Sequence, residues 1–265
     1  MQQDRAIDRL PVVFNAEQFP AVLLVGGMGT RLRSVMPSTP KPLAPVGKEC
    51  FLGLLVRQLR QQGIRHLVMC TGYRSEQIET EFKNGLVWDV EIQYSREQTP
   101  LGTAGAVKLA QECLANANDF LVMNGDSFLE IDFSQLIRFH RVRKGFATLA
   151  VLPVKDSTRY GSVQIDPDGR VTGFSEKTGT NKPGLVSAGI YVFNRAVFDH
   201  IPDGPSSLEK DVFPRLVSYG VFALEQHGMF IDIGTPEDYA RAQELGERLY
   251  GAALRAPKSQ RDLLQ

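Results

Sequence analysis

Cysteine is scarce in this chain: three in 265 residues, Cys50, Cys70 and Cys113, widely spaced and without a CxxC pair. That spacing offers neither a disulfide framework nor a zinc site, and buried free thiols are the expectation, since Cys70 ends an apolar run. Net charge is missing too. Thirty Lys and Arg balance thirty Asp and Glu, which leaves no electrostatic footprint for nucleic acid or an anionic membrane. Any anion site must be local. No apolar run approaches the roughly 18 residues of a membrane span. The opening MQQDRAIDRL is charged and lacks the apolar stretch of a signal peptide. The expected setting is reducing and cytoplasmic. Two common phosphate motifs are also lacking. The third glycine of GxGxxG would fall at Leu32, and Gly47-Lys48 is followed by Glu49, so no GxxxxGK[ST] occurs.

What is present is ordinary for a globular protein, 43% hydrophobic and 23% charged, with no internal repeat and no low-complexity linker. The first half alternates strand and helix. Ala21–Val25 reads as a strand buried on both faces. Phe51, Leu54, Leu55 and Leu59 share a helical face, with Gly63 as its C-cap. His66–Thr71, Val90–Tyr94 and Phe120–Met123 read as further strands. Helices are expected from Ser75, as N-cap, to Phe82 and from Ala104 to Leu114. This alternation predicts an α/β fold, a mixed, mostly parallel central sheet flanked by helices. The second half is richer in strands: 147–154, 161–165, 170–174 and 186–193, with the turn DPDG at Asp166–Gly169. A helix over 208–219 and a strand over 229–233 follow. Thr235-Pro236-Glu237-Asp238 then opens a helix, with Thr as N-cap and Pro at the first position. The expected organisation is an extension over 1–20 and a single domain over 21–250, with an alternating part over about 21–145 and a strand-rich part over 146–250. A polar tail covers 251–265.

Chemistry collects in the loops. After the first strand the chain reads GGMGTRLRSVMPSTPKP. Gly26, Gly27 and Gly29 let the backbone approach a ligand with its N–H groups aimed at oxygens. Arg31, Arg33 and Lys41 add positive charge, and Pro37, Pro40 and Pro42 stiffen the segment. A tight turn with solvated arginines is the bland alternative. Asp126 and Asp232 each follow a buried strand, and ligands of open α/β sheets collect beyond strand carboxyl ends. Two carboxylates beside a phosphate loop suit Mg²⁺, which takes one or two of them plus phosphate oxygens. In EQTPLGTAGAV, Gly102 and Gly105 leave room for a flat base. Glu97 offers an acceptor-only carboxylate that would favour the two adjacent donors of guanine; a surface Glu before a turn stays open. Lys177 could hold a second phosphate and Glu176 could accept from sugar hydroxyls, though the pair alone reads as a surface ion pair.

Together GGMGTRL with Lys41-Pro42, PLGTAGA, NGD, Tyr160-Gly161, SEK, SAGIYVF and FIDIGTPEDY resemble the sugar-1-phosphate nucleotidyltransferases over about residues 20–246. The resemblance implies a GT-A-like, Rossmann-related fold and transfer of NMP from an NTP to a sugar 1-phosphate, releasing pyrophosphate. It implies Arg31 on the leaving phosphates, Lys41 on the α-phosphate, Asp126 and Asp232 on Mg²⁺, and Lys177 on the sugar phosphate. Leu24, Gly26, Gly27, Gly29, Thr30, Glu97, Gly102 and Thr103 would face the nucleotide. Tyr160, Gly161, Glu176, Ser187 and Gly189 would face the sugar phosphate, so the resemblance implies a nucleotide-binding part over about 21–145 and a sugar-phosphate-binding part over 146–250.

Within the family the PLGTAG loop, Glu209-Lys210-Asp211 and the FIDIG strand are similar to the D-glycero-α-D-manno-heptose 1-phosphate guanylyltransferases, which implies GTP as donor. Mannose 1-phosphate guanylyltransferases are the nearest alternative, followed by uridylyl and thymidylyl relatives. The chain's length sets the expectation that no left-handed β-helix domain is fused. A nucleotide-sugar binder without catalysis would be expected to lose Arg31, Lys41 or an aspartate, and all are present. A sugar-transferring enzyme would need a DxD metal motif, which Asp166-Pro167-Asp168 matches only as a turn. Neither nucleic acid nor membrane is an expected partner, and a homo-oligomer is left open.

Overall fold

The computed structural model describes residues 19–157, 161–175 and 182–256. The apolar run after Pro20 becomes β1 (Ala21–Leu24). Its alternate side chains enter two separate cores: Ala21 and Leu23 pack on one face of the sheet, Val22 on the other, as period-two geometry requires. The hairpin of β2 (Pro45–Val46) and β3 (Glu49–Cys50) leads into helix α1 (Phe51–Gln61). Gln62 caps that helix, one place before the expected cap Gly63, which follows in the left-handed region at φ 85°. Next come β4 (His66–Thr71), α2 (Ser75–Phe82) and β5 (Glu91–Arg96). Ser75 is the first helical residue and not the N-cap, a role taken by Arg74 with no side-chain bond. Helix α3 (Gly102–Leu109) starts two residues earlier than expected and tightens into a 3₁₀ turn over Ala110–Leu114. Strand β6 (Asp119–Asn124) closes the first half.

The second half contains β7 (Ser127–Leu129), α4 (Phe133–Arg143), β8 (Ala147–Val154), β9 (Ser162–Ile165), β10 (Val171–Ser175) and β11 (Gly184–Asn194). Then follow a π-helical turn over Leu208–Val212, α5 (Phe213–Gly220), β12 (Val221–Glu225) and β13 (Phe230–Asp232). The chain continues into α6 (Pro236–Glu244) and α7 (Gly246–Ala253). Thr235 caps α6 as expected, accepting from the Asp238 N–H with Pro236 in the first turn. Helix α4, not foreseen, starts where Asp132 accepts from the Ser134 and Gln135 N–H groups, and it buries Leu136, Ile137, Phe139 and His140.

Among the described residues, nine strands form one sheet along the order β10-β9-β11-β6-β1-β4-β5, with β8 on β11 and β12 on β8. Strand β1 pairs in parallel with β4 and β6, and β4 with β5. Strand β11 runs antiparallel to β6, β8 and β9. The sheet therefore crosses both halves of the chain. Its strand order reverses beside β1, which puts the loops after β1, β4, β5 and β6 at one edge, where α/β sheets bind ligands. Outside the sheet, β13 pairs antiparallel with β7. Two buried glutamines, Gln58 of α1 and its cap Gln62, hold that region: Gln58 donates to the Leu129 carbonyl at 2.6 Å, and Gln62 donates to the Ile131 carbonyl and accepts from the Phe133 N–H. No helix among the described residues is long and apolar enough to cross a membrane. Cys50, Cys70 and Cys113 are free as expected, but only Cys70 is fully buried, the other two being partly exposed; burial still pushes the Cys50 thiol up to about 11.

At the amino end of β6, Asp119 accepts from Asn194 and Arg141 and lies 3.8 Å from the Nε2 of buried His140, whose Nδ1 faces the Thr148 hydroxyl at 2.9 Å. Burial opposes ionisation of Asp119, but His140, Asn194 and Arg141 together hold its carboxyl below the ordinary value. A carboxylate lowered by folding adds stability above its unfolded pKa, and that stability is lost as pH falls through the folded one. Asp119→Asn is therefore expected to lower Tm at neutral pH, with the gap to the parent closing below about pH 4. Thermal unfolding across pH 3–7 checks this; a gap as wide at pH 3 as at pH 7 contradicts it.

Candidate active site

The phosphate-type loop leaves β1 between its two parallel neighbours. The Val25 N–H donates to the Cys70 carbonyl and the Tyr73 N–H to the Gly26 carbonyl, while Gly125 donates to Leu24. Gly29 then takes φ 57° and caps a 3₁₀ turn over Thr30–Leu32, anchored by buried Leu32. A second 3₁₀ turn, Lys41–Leu43, follows Pro40, with Pro42 buried. The stem of Lys41 packs on Gly29, where an added Cβ would lie 3.0 Å from the lysine Cβ. Pro40 and Pro42 flank Lys41 in this turn, and the lysine stem lies over the glycine loop.

Lys41 points at Asp126, with Nζ 2.5 Å from Oδ2, and only 10% of the lysine side chain is exposed. Gly125 allows this placement, because a side chain there would strike Val25 and the Leu24 carbonyl. The β7–β13 ladder aligns Asp232 with Ser127 and so delivers the second carboxylate. The Ser127 hydroxyl lies 3.2 Å from Asp126 Oδ1 and 3.2 Å from Asp232 Oδ2. One hydroxyl has one proton, so it can satisfy only one of the two. The Asp232 carboxyl is raised from its ordinary value by burial and then by the charge of Asp126, against Lys41, the Gly234 N–H and Ser127. Carboxylates forced this close, at the mouth of a cleft, are the electrostatic setting a cation relieves. No third His, Cys, Asp or Glu joins them as a metal cluster among the described residues. That suits an ion completing its shell with water and phosphate oxygens, as Mg²⁺ does.

Leu24, Val25, Gly27, Gly29, Thr30, Arg31, Lys41, Pro42, Gly125, Asp126 and Gly234 line one cleft. The sequence reading named seven of these residues. Arg31 is exposed and reaches across to Gly234, its Nη2 lying 3.6 Å from where a Cβ on that glycine would be. Glu97 sits just behind the loop. Its Oε2 accepts from the Leu101 N–H at 3.0 Å, and its Oε1 fills space that a Cβ on Gly26 or Gly72 would need. Burial raises its pKa, opposed by the Leu101 N–H. A solvated surface Glu would show neither feature.

Gly102 and Gly105 turn out differently from the expectation. Their bare faces lie against protein: a Cβ on Gly102 would come within 2.5 Å of the Ser206 carbonyl, and one on Gly105 within 2.6 Å of the Gly204 carbonyl. Glycine is needed there for close packing of the 204–206 segment, with Gly102 at φ 70°, and the bulk-free space is not left for a base. Thr103, Ser187 and Gly189 lie further along, around Glu209 and Tyr191. Gly189 adopts φ 72° with its α-carbon against the Asn124 side chain. Gly161 is exposed, just ahead of β9. Tyr160, Glu176 and Lys177 lie outside the described residues. Ser127, Gly72, Gly234, Tyr191 and Glu209 were missed as site-forming residues. Gly234 in FIDIGTPEDY, Tyr191 in SAGIYVF and Glu209 in the Glu209-Lys210-Asp211 segment lie inside the quoted motifs and Ser127 directly follows NGD, whereas Gly72 carried no signal.

Gly26 and Gly27 separate packing from ligand approach. Gly26→Ala pushes a methyl into the Glu97 carboxylate and the Thr71–Gly72 backbone, and is expected to destabilise the fold by about 1–3 kcal/mol. Gly27 has nothing within 4 Å of its Cβ position. Gly27→Ala is expected to leave Tm unchanged yet weaken nucleoside triphosphate binding, as read by calorimetry. Unimpaired binding by Gly27→Ala contradicts an anion-binding role for this loop.

Comparison with known proteins bears on the same residues. Residues 20–248 match the nucleotidyl transferase family. The chain is 38% identical over 226 residues to a D-glycero-alpha-D-manno-heptose 1-phosphate guanylyltransferase of Aneurinibacillus thermoaerophilus, covering 84% of this chain and 96% of that protein. It is also 38% identical over 242 residues to the mannose-1-phosphate guanylyltransferase catalytic subunit beta of Drosophila pseudoobscura pseudoobscura, covering 90% of this chain but 64% of the relative. The chain thus spans slightly under two thirds of the latter's length. Among solved structures, HddC from Yersinia pseudotuberculosis complexed with GMP-PN superposes with a TM-score of 0.75 at 32% identity, covering 86% of this chain and 99% of that one.

Proposed function

The chain belongs to the nucleotidyl transferase family, and from that premise we propose that it transfers guanylate from GTP to a sugar 1-phosphate, releasing pyrophosphate. The carrying observation is the cluster of Lys41, Asp126 and Asp232 at the mouth of the glycine loop. The phosphate oxygen of the sugar 1-phosphate attacks the α-phosphorus of GTP, a P–O bond forms there, and the α–β P–O bond breaks with its electrons leaving on pyrophosphate. The nucleophile is already an anion, so no general base is needed. The obstacle is bringing two polyanions together in line, and the protein must supply positive charge and position.

Lys41 is the residue best placed for the α-phosphate, exchanging Asp126 for a phosphate oxygen as the nucleotide enters. Arg31, on the exposed rim, meets the departing β- and γ-phosphates, and the N–H groups around Gly27 and Gly29 cradle them. Asp126 and Asp232 would hold Mg²⁺, which when bound neutralises phosphate charge and restrains the α-phosphate. Glu97 reads guanine through its acceptor-only carboxylate; its half-buried position beside Gly26 supports this. Lys177, Glu176 and Tyr160 with Gly161 are proposed for the sugar phosphate on motif grounds alone. The three free thiols suit a reducing, cytoplasmic compartment.

D-glycero-α-D-manno-heptose 1-phosphate is the proposed acceptor, and mannose 1-phosphate the alternative that the equal identities of the two relatives keep in view. The two sugars differ by one hydroxymethyl group, which discriminates weakly unless its hydroxyl is specifically bonded. Pyrophosphate release with four NTPs crossed against heptose, mannose, glucose and N-acetylglucosamine 1-phosphates tests the reading. Release confined to GTP with one or both manno-configured phosphates is expected. Release with UTP or dTTP instead removes Glu97 as a guanine reader, and silence throughout removes the transferase reading.

Two substitutions bear on roles within the site. Lys41→Met is expected to lower kcat by about 10²–10³, the scale of losing one preorganised charge donor, without unfolding the protein. Glu97→Gln replaces an acceptor by a donor facing guanine and should cost about 10- to 100-fold in kcat/KM for GTP. Wild-type values for either variant contradict the role assigned to it.

A further inference from the structure

Glu209 lies on the π-helical turn after Ser207 and gathers three hydroxyls. Its Oε1 accepts from the Tyr191 hydroxyl at 3.0 Å, and its Oε2 accepts from Thr103 at 3.1 Å and from Ser207 at 2.9 Å. Every one of these hydroxyls also has a donor behind it. The Leu208 N–H donates to Thr103 at 2.8 Å, the Lys210 N–H to Ser207 at 3.2 Å, and the Ser187 hydroxyl to Tyr191 at 3.2 Å. Ser187 in turn accepts from the Gly189 N–H at 3.2 Å. All the protons run toward one carboxylate, which can only accept while ionised. No cation pairs with Glu209 among the described residues, so these hydroxyls are its partners.

The network joins two places that are far apart in sequence. Thr103 is the second residue of α3, just after the loop that Glu97 closes by accepting from Leu101. That loop is tied to the same segment again, since Ala104 donates to the Ser206 carbonyl and Ser206 donates to Leu101. Gly189 and Ser187 lie where β11 departs from regular pairing with β8, with Gly189 against Asn124, two residues before Asp126. Tyr191 is 1% exposed, and burial followed by the charge of Glu209 holds its hydroxyl firmly protonated. It donates and does not titrate.

Resting on the guanylyltransferase reading above, we propose that Glu209 is a positioning residue that couples the base-side loop to the sugar-side strand. Nucleotide seated against Glu97 fixes the loop that Glu97 closes on Leu101 and, through it, Thr103. Glu209 passes that constraint through Tyr191 and Ser187 to the Gly189 N–H. Acceptor binding at β11 then meets a strand already in place, and by linkage the effect is reciprocal. Chains of hydrogen bonds with one direction reinforce each other. An amide at position 209 would have to donate to at least one hydroxyl that is itself donating, and so would break the direction of the chain.

Hydrogen–deuterium exchange on the full chain, with GTP and Mg²⁺ as the probe, tests the coupling. GTP affinity and Tm are measured alongside for wild type, Glu209→Gln and Tyr191→Phe. The second variant removes one buried oxygen between the two sites and guards against a Glu209→Gln protein that does not fold. In wild type, GTP is expected to slow exchange of the Gly184–Asn194 peptide by about fivefold or more, the lower range of ordinary coupling. In Tyr191→Phe that slowing should disappear while GTP still binds and still protects the Glu97–Thr103 loop. Equal slowing of β11 in wild type and Tyr191→Phe overturns the proposal, as does bound GTP that leaves wild-type β11 unaffected. Failure of wild type to bind GTP at all is a different result: it removes the functional reading, and the coupling with it.

Discussion

Two carboxylates, Asp126 and Asp232, are held on either side of a single serine hydroxyl, and one lysine stands against their repulsion. Left to itself each would move toward water. The fold prevents this with elements that have little else in common. Gly125 lets the end of β6 lie on the end of β1, the β7–β13 ladder fixes Asp232 beside Ser127, and the prolines around Lys41 bring its ammonium within 2.5 Å of Asp126. Burial makes the arrangement costlier and more selective at once, because unpaired charge is penalised more heavily away from water. The result is a cleft whose free energy improves when something brings in both positive charge and phosphate oxygens.

The rest of the molecule can be understood as support for that spot. Parallel strands β1, β4, β5 and β6 end together, so four loops share one edge. The antiparallel β11 continues the same sheet into the second half and brings Gly189 up to Asn124. The glutamines of α1 and its cap bond the backbone around β7 and α4. Those bonds set the height of β7, and through it that of Asp232.

Much of this was legible in the sequence because the relevant signals are local. A buried apolar run ending in glycines marks a strand and a loop, and Thr-Pro-Glu-Asp marks a helix start, whatever lies elsewhere in the chain. The aspartates were legible because each follows a strand directly. Other features depended on distant partners. Gln58 and Gln62 look like the solvent face of a helix until the Leu129 and Ile131 carbonyls are seen to meet them. Gly102 and Gly105 look like room for a ligand until the 204–206 backbone fills it. Helix α4 was passed over because its apolar residues are interleaved with Gln, Arg and His, of which His140 is buried on a threonine hydroxyl and beside Asp119. Glu209 was visible only as part of a motif, since its three hydroxyl partners come from positions 103, 191 and 207.

The central claim is that Lys41 exchanges Asp126 for a phosphate oxygen while the two aspartates take a divalent ion. Crystals grown with GTP and Mn²⁺ measure this directly through the anomalous signal of manganese. The account predicts one manganese peak between Asp126 and Asp232, with the α-phosphate beside it and the Lys41 ammonium moved onto that phosphate. Manganese and triphosphate bound elsewhere, or Lys41 still paired with Asp126 beneath a bound nucleotide, would contradict it.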